Sequence, residues 1–169
     1  FTQPIYYNIG NDKQTAYLYP PKKEPENVWI LVGGNASLAL QWLFLLQHID
    51  LPNTSFLLVD YPGYGLNQGY PNEKDNTTAI KEAYLAMTKE LKINPNIFLL
   101  GHSLGSAVAV NAASQIKPKA LVLLSPFTSI YDMAKRSITT PWAWLLKDFI
   151  WDKYESDKKL SKLAKTNPK

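Results

Sequence analysis

Ile97-Phe98-Leu99-Leu100-Gly101-His102-Ser103-Leu104-Gly105-Ser106-Ala107-Val108-Ala109 is the stretch from which the rest of the chain is best read. Its first four residues are large and apolar, as expected of a strand covered on both faces in a parallel sheet. The run ends in Gly101-His102-Ser103-Leu104-Gly105, a G-x-S-x-G sequence. Small residues follow (Gly105, Ser106, Ala107, Ala109, Ala112 and Ala113), which suit a helix lying close against a sheet. A serine at such a strand-to-helix turn sits in a strained backbone conformation, and the flanking glycines leave room where side chains would clash. The turn lifts the hydroxyl above the sheet at the helix N-terminus, where the next backbone amide can donate to a developing oxyanion. Ser103 is therefore the candidate nucleophile and the Leu104 N–H the first candidate oxyanion donor.

The same alternation extends in both directions. Val28-Trp29-Ile30-Leu31-Val32 and Phe56-Leu57-Leu58-Val59-Asp60 precede the serine, and Ala120-Leu121-Val122-Leu123-Leu124 follows it. Between these buried strands, helical patterns are expected over residues 37–48, 75–91 and 103–116. In the second of these, Ile80, Tyr84, Met87 and Leu91 recur on one helical face. Residues 5–19 read as two short strands joined at the turn-forming Gly10-Asn11-Asp12. Strands alternating with helices predict an α/β fold with a mainly parallel sheet flanked by helices, in a single domain over residues 1–169. A second oxyanion donor is expected from the turn after an earlier strand. Gly33-Gly34-Asn35-Ala36 occupies such a turn, which makes the Asn35 N–H the second candidate; the Asn35 side chain would also suit a helix N-cap.

These segments together resemble the α/β-hydrolase superfamily, and within it the serine hydrolases of the Bem46-like group and of α/β-hydrolase domain-containing proteins 12, 13 and 17. The resemblance is carried by Gly33-Gly34-Asn35-Ala36, where the group usually reads His-Gly-Asn-Ala, and by Asp60-Tyr61-Pro62-Gly63-Tyr64-Gly65. The serine turn and Ser125-Pro126-Phe127-Thr128-Ser129 complete it, in order from about residue 28 to 130. It implies an α/β-hydrolase fold and hydrolysis of carboxylic ester or thioester bonds through an acyl-serine, with no cofactor. It also implies an acid and a histidine after the serine in the chain. This sequence has two histidines. His48 precedes the serine on an expected helix, and His102 lies inside the turn, so neither is placed as the base. Asp132 follows a buried strand but reads as part of a helix-capping box, Ser129-Ile130-Tyr131-Asp132, and Asp60 as the residue that fixes the Pro62-Gly63 turn. The expectation is a hydrolase domain lacking its C-terminal strands, roughly 60–100 residues on ordinary domain sizes. A serine without base and acid is a poor nucleophile, so the chain alone is expected to be inactive. A non-catalytic hydrolase-like binding module is the alternative reading.

Other chemistries are disfavoured. The chain has no cysteine, which excludes disulfides and thiolate metal sites, and no pair of histidines has ligand spacing. Gly63-Tyr64-Gly65-Leu66-Asn67-Gln68-Gly69 places its third glycine one residue late for a dinucleotide fingerprint and opens no helix pattern. The net charge of +4 owes much to six lysines between Lys153 and Lys169, read as a solvated face; they match no nucleic-acid module. The expected partner is a small-molecule acyl ester. The tryptophan-rich residues 141–151, within a possible cap or lid at about 130–160, could line an acyl pocket or touch a membrane surface. No apolar run reaches membrane-spanning length. Phe1 in place of a methionine suggests a removed signal peptide, anchor or trimmed piece, which leaves the cell envelope and the cytoplasm both open as locations.

Overall fold

The computed structural model of the chain describes residues 1–126 and 159–162. The described residues form six strands: β1 (Gln3–Ile9), β2 (Asp12–Tyr19), β3 (Asn27–Val32), β4 (Thr54–Val59), β5 (Asn96–His102) and β6 (Ala120–Leu124). They make one sheet in the order β1-β2-β4-β3-β5-β6. β1 and β2 are a hairpin that adds antiparallel to β4; β3, β4, β5 and β6 run parallel. The α/β-hydrolase fold expected from the sequence is thereby observed, with the antiparallel hairpin at one edge.

Strand order fixes which faces the connections use. The chain leaves β3 toward β4 on one side, then crosses back over β3 to reach β5 on the other. Right-handed crossovers in opposite directions put their connections on opposite faces of the sheet. One face accordingly carries α2 (Glu73–Leu91) and α3 (Leu104–Ile116). Alternate strand residues (Ile5, Leu18, Val28, Ile30, Leu57, Leu99) pack there against Ala79, Ile80, Ala83, Met87, Ala107, Val108 and Ala112. Fully burying one such leucine or isoleucine contributes about 1.5–3 kcal/mol. The alanines keep α3 near the strands. The opposite face is covered by a short 3-10 turn (Ala39–Trp42) leading into α1 (Leu43–Leu46), with Leu31, Phe56, Leu58, Ala39 and Leu46 buried together. Trp29 and Phe98, register partners on β3 and β5, stack there with ring centroids 4.9 Å apart.

Two expectations are corrected. Residues 37–48 do not form one helix: residues 33–38 run as a loop, and only residues 39–46 turn helically. Helix α2 starts at Glu73, ahead of Asp75, because the Asn72 side chain caps it by accepting from the Asp75 N–H at 2.9 Å. The capping box at Ser129–Asp132, the cap or lid at about 130–160 and the tryptophan-rich segment lie outside the described residues, as does Phe127-Thr128-Ser129. Of the basic stretch, Lys159 and Lys162 are described, and the Lys159 ammonium pairs with the Glu73 carboxylate at 2.6 Å.

Candidate functional site

Strands β3 and β5 are adjacent, and Val32 is the register partner of Gly101. Their C-terminal ends therefore release two loops side by side, at the point where the strand order reverses and where open α/β sheets place their ligand sites. Ser103 heads the second loop and is half-buried. Its φ of 53° and ψ of −117° are sparsely populated for a residue with a side chain, a strain of roughly 1–3 kcal/mol. Three contacts hold it there. The Ser103 N–H donates to the Leu124 carbonyl at 2.9 Å, the Ser106 N–H donates to the Ser103 carbonyl at 2.9 Å, and the Ser106 hydroxyl reaches the Gly101 carbonyl at 2.8 Å. The flanking glycines are required sterically. A Cβ on Gly101 would overlap the Gly105 carbonyl oxygen, and one on Gly105 would overlap that of Val32.

Residues 33–36 lie against this turn: a Cβ built on Gly34 would sit 3.4 Å from the Ser103 Cβ and from His102 Nδ1. The Asn35 and Leu104 N–H groups have no hydrogen-bond acceptor among the described residues. Asn35 is exposed and Leu104 half-buried. Asn35 does not cap a helix; its side-chain oxygen accepts from the Tyr64 hydroxyl at 2.9 Å. The turn can therefore present one oxygen nucleophile with two backbone donors nearby, the parts that acyl transfer uses.

Asp60 does not brace the Pro62-Gly63 turn with its side chain, contrary to expectation. Its carboxylate accepts from the Ala39 N–H at 2.6 Å, so it secures the loop after β3. Burial pushes this carboxyl above the usual range, and the Ala39 N–H partly offsets the rise. His48 is exposed beyond α1, with its ring 3.2 Å from the Gln47 side-chain amide. His102 is exposed, with Nδ1 on the Gly34 side of the turn. Neither is hydrogen-bonded to a carboxylate among the described residues. A cavity of about 1090 Å³ lies between α2, α3 and Lys159, but neither residues 33–36 nor residues 101–105 line it, so it is not the space in front of Ser103. No group of three or more histidine or acidic side chains comes together for a metal among the described residues. Nor is any helix among them long and apolar enough to cross a membrane.

The family model described as serine aminopeptidase, S33, matches residues 23–169. The chain belongs to this α/β-hydrolase family. The chain is 37% identical over 130 residues to an uncharacterized protein of Mycobacterium tuberculosis, an alignment spanning 76% of this chain and 44% of that one. It is 36% identical over 78 residues to human α/β-hydrolase domain-containing protein 17B, which covers 46% of this chain and 27% of the relative. It thus spans less than half the length of these curated relatives. Among solved structures, an α/β hydrolase from Vibrio vulnificus superposes with a TM-score of 0.79 at 21% identity, over 97% of this chain and 60% of that one. A carboxyl esterase from Bacillus coagulans superposes with a TM-score of 0.63 at 16% identity, over 99% and 66%. At these identities the structures speak for the fold alone.

Ser103, Leu104 and Asn35, chosen from the sequence, come together at the ends of β5 and β3. Sequence reasoning missed Tyr61, Tyr64 and Asn67, although Asp60-Tyr61-Pro62-Gly63-Tyr64-Gly65 had been singled out as a segment. Tyr61 donates its hydroxyl to the Gly33 carbonyl at 2.6 Å, and Asn67 donates to the Asp60 carbonyl at 3.1 Å. A run of turn residues holding two tyrosines directly after a buried strand was the available signal.

Proposed function

We propose that the hydrolase cleaves carboxylic ester or thioester bonds through an acyl-serine intermediate on Ser103. The observation that carries this is the strained conformation of Ser103, at a strand-to-helix turn beside two unengaged backbone donors. Strain of this kind persists only where the surrounding contacts enforce it, and it gathers at functional sites. In the proposed reaction the Ser103 hydroxyl attacks the acyl carbonyl as a base removes its proton. The Leu104 and Asn35 N–H groups hold the oxyanion of the tetrahedral intermediate. Its collapse expels the protonated alcohol or thiol and leaves the acyl-serine, which water then opens by the same steps.

The reaction needs a histidine and an acid, which in the α/β-hydrolase order follow the serine. His48 and His102 do not fill that role, so the base is to be sought outside the described residues. The family description points to peptide bonds, and the same parts can serve an amide. Esters and thioesters have the better leaving groups and demand least of the acid, which makes them the substrates for a first test. The reading predicts that the product of the intact gene, mixed with p-nitrophenyl acetate, gives a burst of p-nitrophenol and an acetylated peptide containing Ser103. Turnover without acylation there, or acylation at another residue, would overturn it. The alternative, a hydrolase-like binding module, draws on the placement of the two histidines; it predicts no turnover by the folded protein.

A further inference from the structure

Residues 60–69 grip the loop after β3 at three successive points. The Tyr61 hydroxyl donates to the Gly33 carbonyl at 2.6 Å, and the Ala39 N–H donates to the Asp60 carboxylate at 2.6 Å. Between them, the Tyr64 hydroxyl donates to the Asn35 side-chain oxygen at 2.9 Å and accepts from the Ala36 N–H at 3.4 Å. The two tyrosine rings meet edge to face, with centroids 5.5 Å apart and planes at 87°. Ala36 has a φ of 57°, so the loop turns just where Tyr64 reaches it.

The gripping segment is itself anchored on its far side. Thr15 lies one residue before Ala16, where the pairing of β2 with β4 begins, and its N–H is taken by the Asn67 side chain at 2.6 Å. The Asn67 amide in turn donates to the Asp60 carbonyl at 3.1 Å. Gln68 and Lys13 exchange backbone and side-chain bonds of 3.1 and 2.9 Å. A Cβ on Gly69 would come within 2.6 Å of an Asp12 carboxylate oxygen, so the segment lies directly on the hairpin. A continuous set of hydrogen bonds thus runs from β2 through residues 60–69 to Asn35.

We propose that residues 60–69 are a clamp that aims the Asn35 N–H at the oxyanion, with Tyr64 as its positioning residue. The inference rests on the oxyanion role proposed above for Asn35. A loop that contains Gly33 and Gly34 and is exposed at Asn35 and Ala36 has a wider choice of backbone conformations than one without glycine. An oxyanion donor contributes only when its N–H is already aimed at the place where charge develops. The Tyr64 hydroxyl, fixed from both sides, supplies that aim by holding the Asn35 side chain and the Ala36 N–H together. It touches no reacting atom.

The test uses the product of the intact gene and p-nitrophenyl butyrate. Tyr64→Phe keeps the ring contact with Tyr61 and removes the hydroxyl alone. Loss of one net hydrogen bond that acts in the transition state corresponds to a fall in kcat of about tenfold, with KM within about twofold of wild type. Asn35→Ala removes the same bond from its other end and should cost about as much. The double variant should be no slower than Tyr64→Phe, which already lacks both bonds of the hydroxyl, to Asn35 and to Ala36. If Tyr64→Phe does not fold, Asn35→Ala alone carries the test through the same split between kcat and KM. Wild-type kcat in the folded variants, a change confined to KM, or additive losses in the double variant would overturn the clamp. Ser103→Ala separates the two claims: should it remain active, the acyl-serine reading fails whatever Tyr64→Phe does. Should it be inactive while Tyr64→Phe is fully active, only the clamp fails.

Discussion

Replacing Gly105 with alanine should lower both stability and turnover, although an alanine is normally the better helix residue. Gly105 lies in the first turn of α3, and its φ is not positive, so its backbone conformation would accept a side chain. On helix propensity alone the change would stabilise the protein by up to about 1 kcal/mol. The obstacle is position. The new Cβ would overlap the Val32 carbonyl oxygen and lie 2.6 Å from that of Gly33. Both are backbone atoms at the end of β3, with no side-chain rotation to relieve them. The start of α3 must therefore move off β3 by roughly half an ångström to an ångström, and overpacking of this kind costs about 1–3 kcal/mol. The net expectation is a loss of about 1–2 kcal/mol after the gain in propensity. The movement also parts the Ser103-Leu104 turn from residues 33–36. Misplacement by about 1 Å costs on the order of a hundredfold in rate, so kcat should fall about ten- to a hundredfold. Urea unfolding followed by circular dichroism reads the first effect, and p-nitrophenyl ester hydrolysis by the intact gene product reads the second. A Gly105→Ala protein of equal or greater stability and unchanged turnover would refute the reasoning, since it would mean that α3 does not press on β3.

Three other outcomes follow from particular contacts. The Ser106 hydroxyl sits 2.8 Å from the Gly101 carbonyl and 3.1 Å from that of Leu124, tying the serine turn to β6; Ser106→Ala should cost about 1 kcal/mol in urea unfolding and slow turnover through Ser103. The Tyr7 hydroxyl is buried with no hydrogen-bond partner among the described residues, and burial, with the Asp60 charge, pushes its ionisation upward; Tyr7→Phe should raise stability by about 1 kcal/mol, and a loss would show that the oxygen is satisfied in solution. Burial raises the Asp60 carboxyl above its ordinary 3.8, so its proton is held more tightly in the folded chain than in the unfolded one. The stability this lends is complete below 3.8 and is lost as the pH climbs through the raised value. Wild type should therefore lose stability relative to Asp60→Asn across that window, and parallel pH curves would contradict the assignment.

The residues that could be read from the sequence are those with a local signature. Val28–Val32, Phe56–Val59 and Ile97–Leu100 are uninterrupted apolar runs, which only strands covered on both faces require. The serine turn was legible because both of its glycines are needed for close approach: Gly101 to the Gly105 carbonyl, Gly105 to β3. Residues 37–48 misled for the opposite reason. Leu38, Leu40, Phe44 and Leu45 suggest a helix packed along its length, yet all four are exposed, and the helical part is confined to residues 39–46. The support of the site was not legible at all. Tyr61 meets Gly33 and Tyr64 meets Asn35 across 28 and 29 positions, and Asn67 meets Thr15 across 52. No periodicity or spacing within one segment encodes such pairs; they follow from the strand order that sets β2, β4 and β3 side by side. Asp60 was misassigned on the same ground, because a turn two residues away is visible in the sequence and the Ala39 N–H, 21 positions away, is not.

The most direct test of the central claim is intact-mass and peptide-mapping mass spectrometry of the folded product of the intact gene after treatment with a fluorophosphonate probe. The account predicts a single adduct on Ser103, absent from Ser103→Ala, because an activated serine facing two oxyanion donors is what such a probe captures. A folded protein that takes no adduct, or takes it on another residue, would contradict the assignment of Ser103 as the nucleophile.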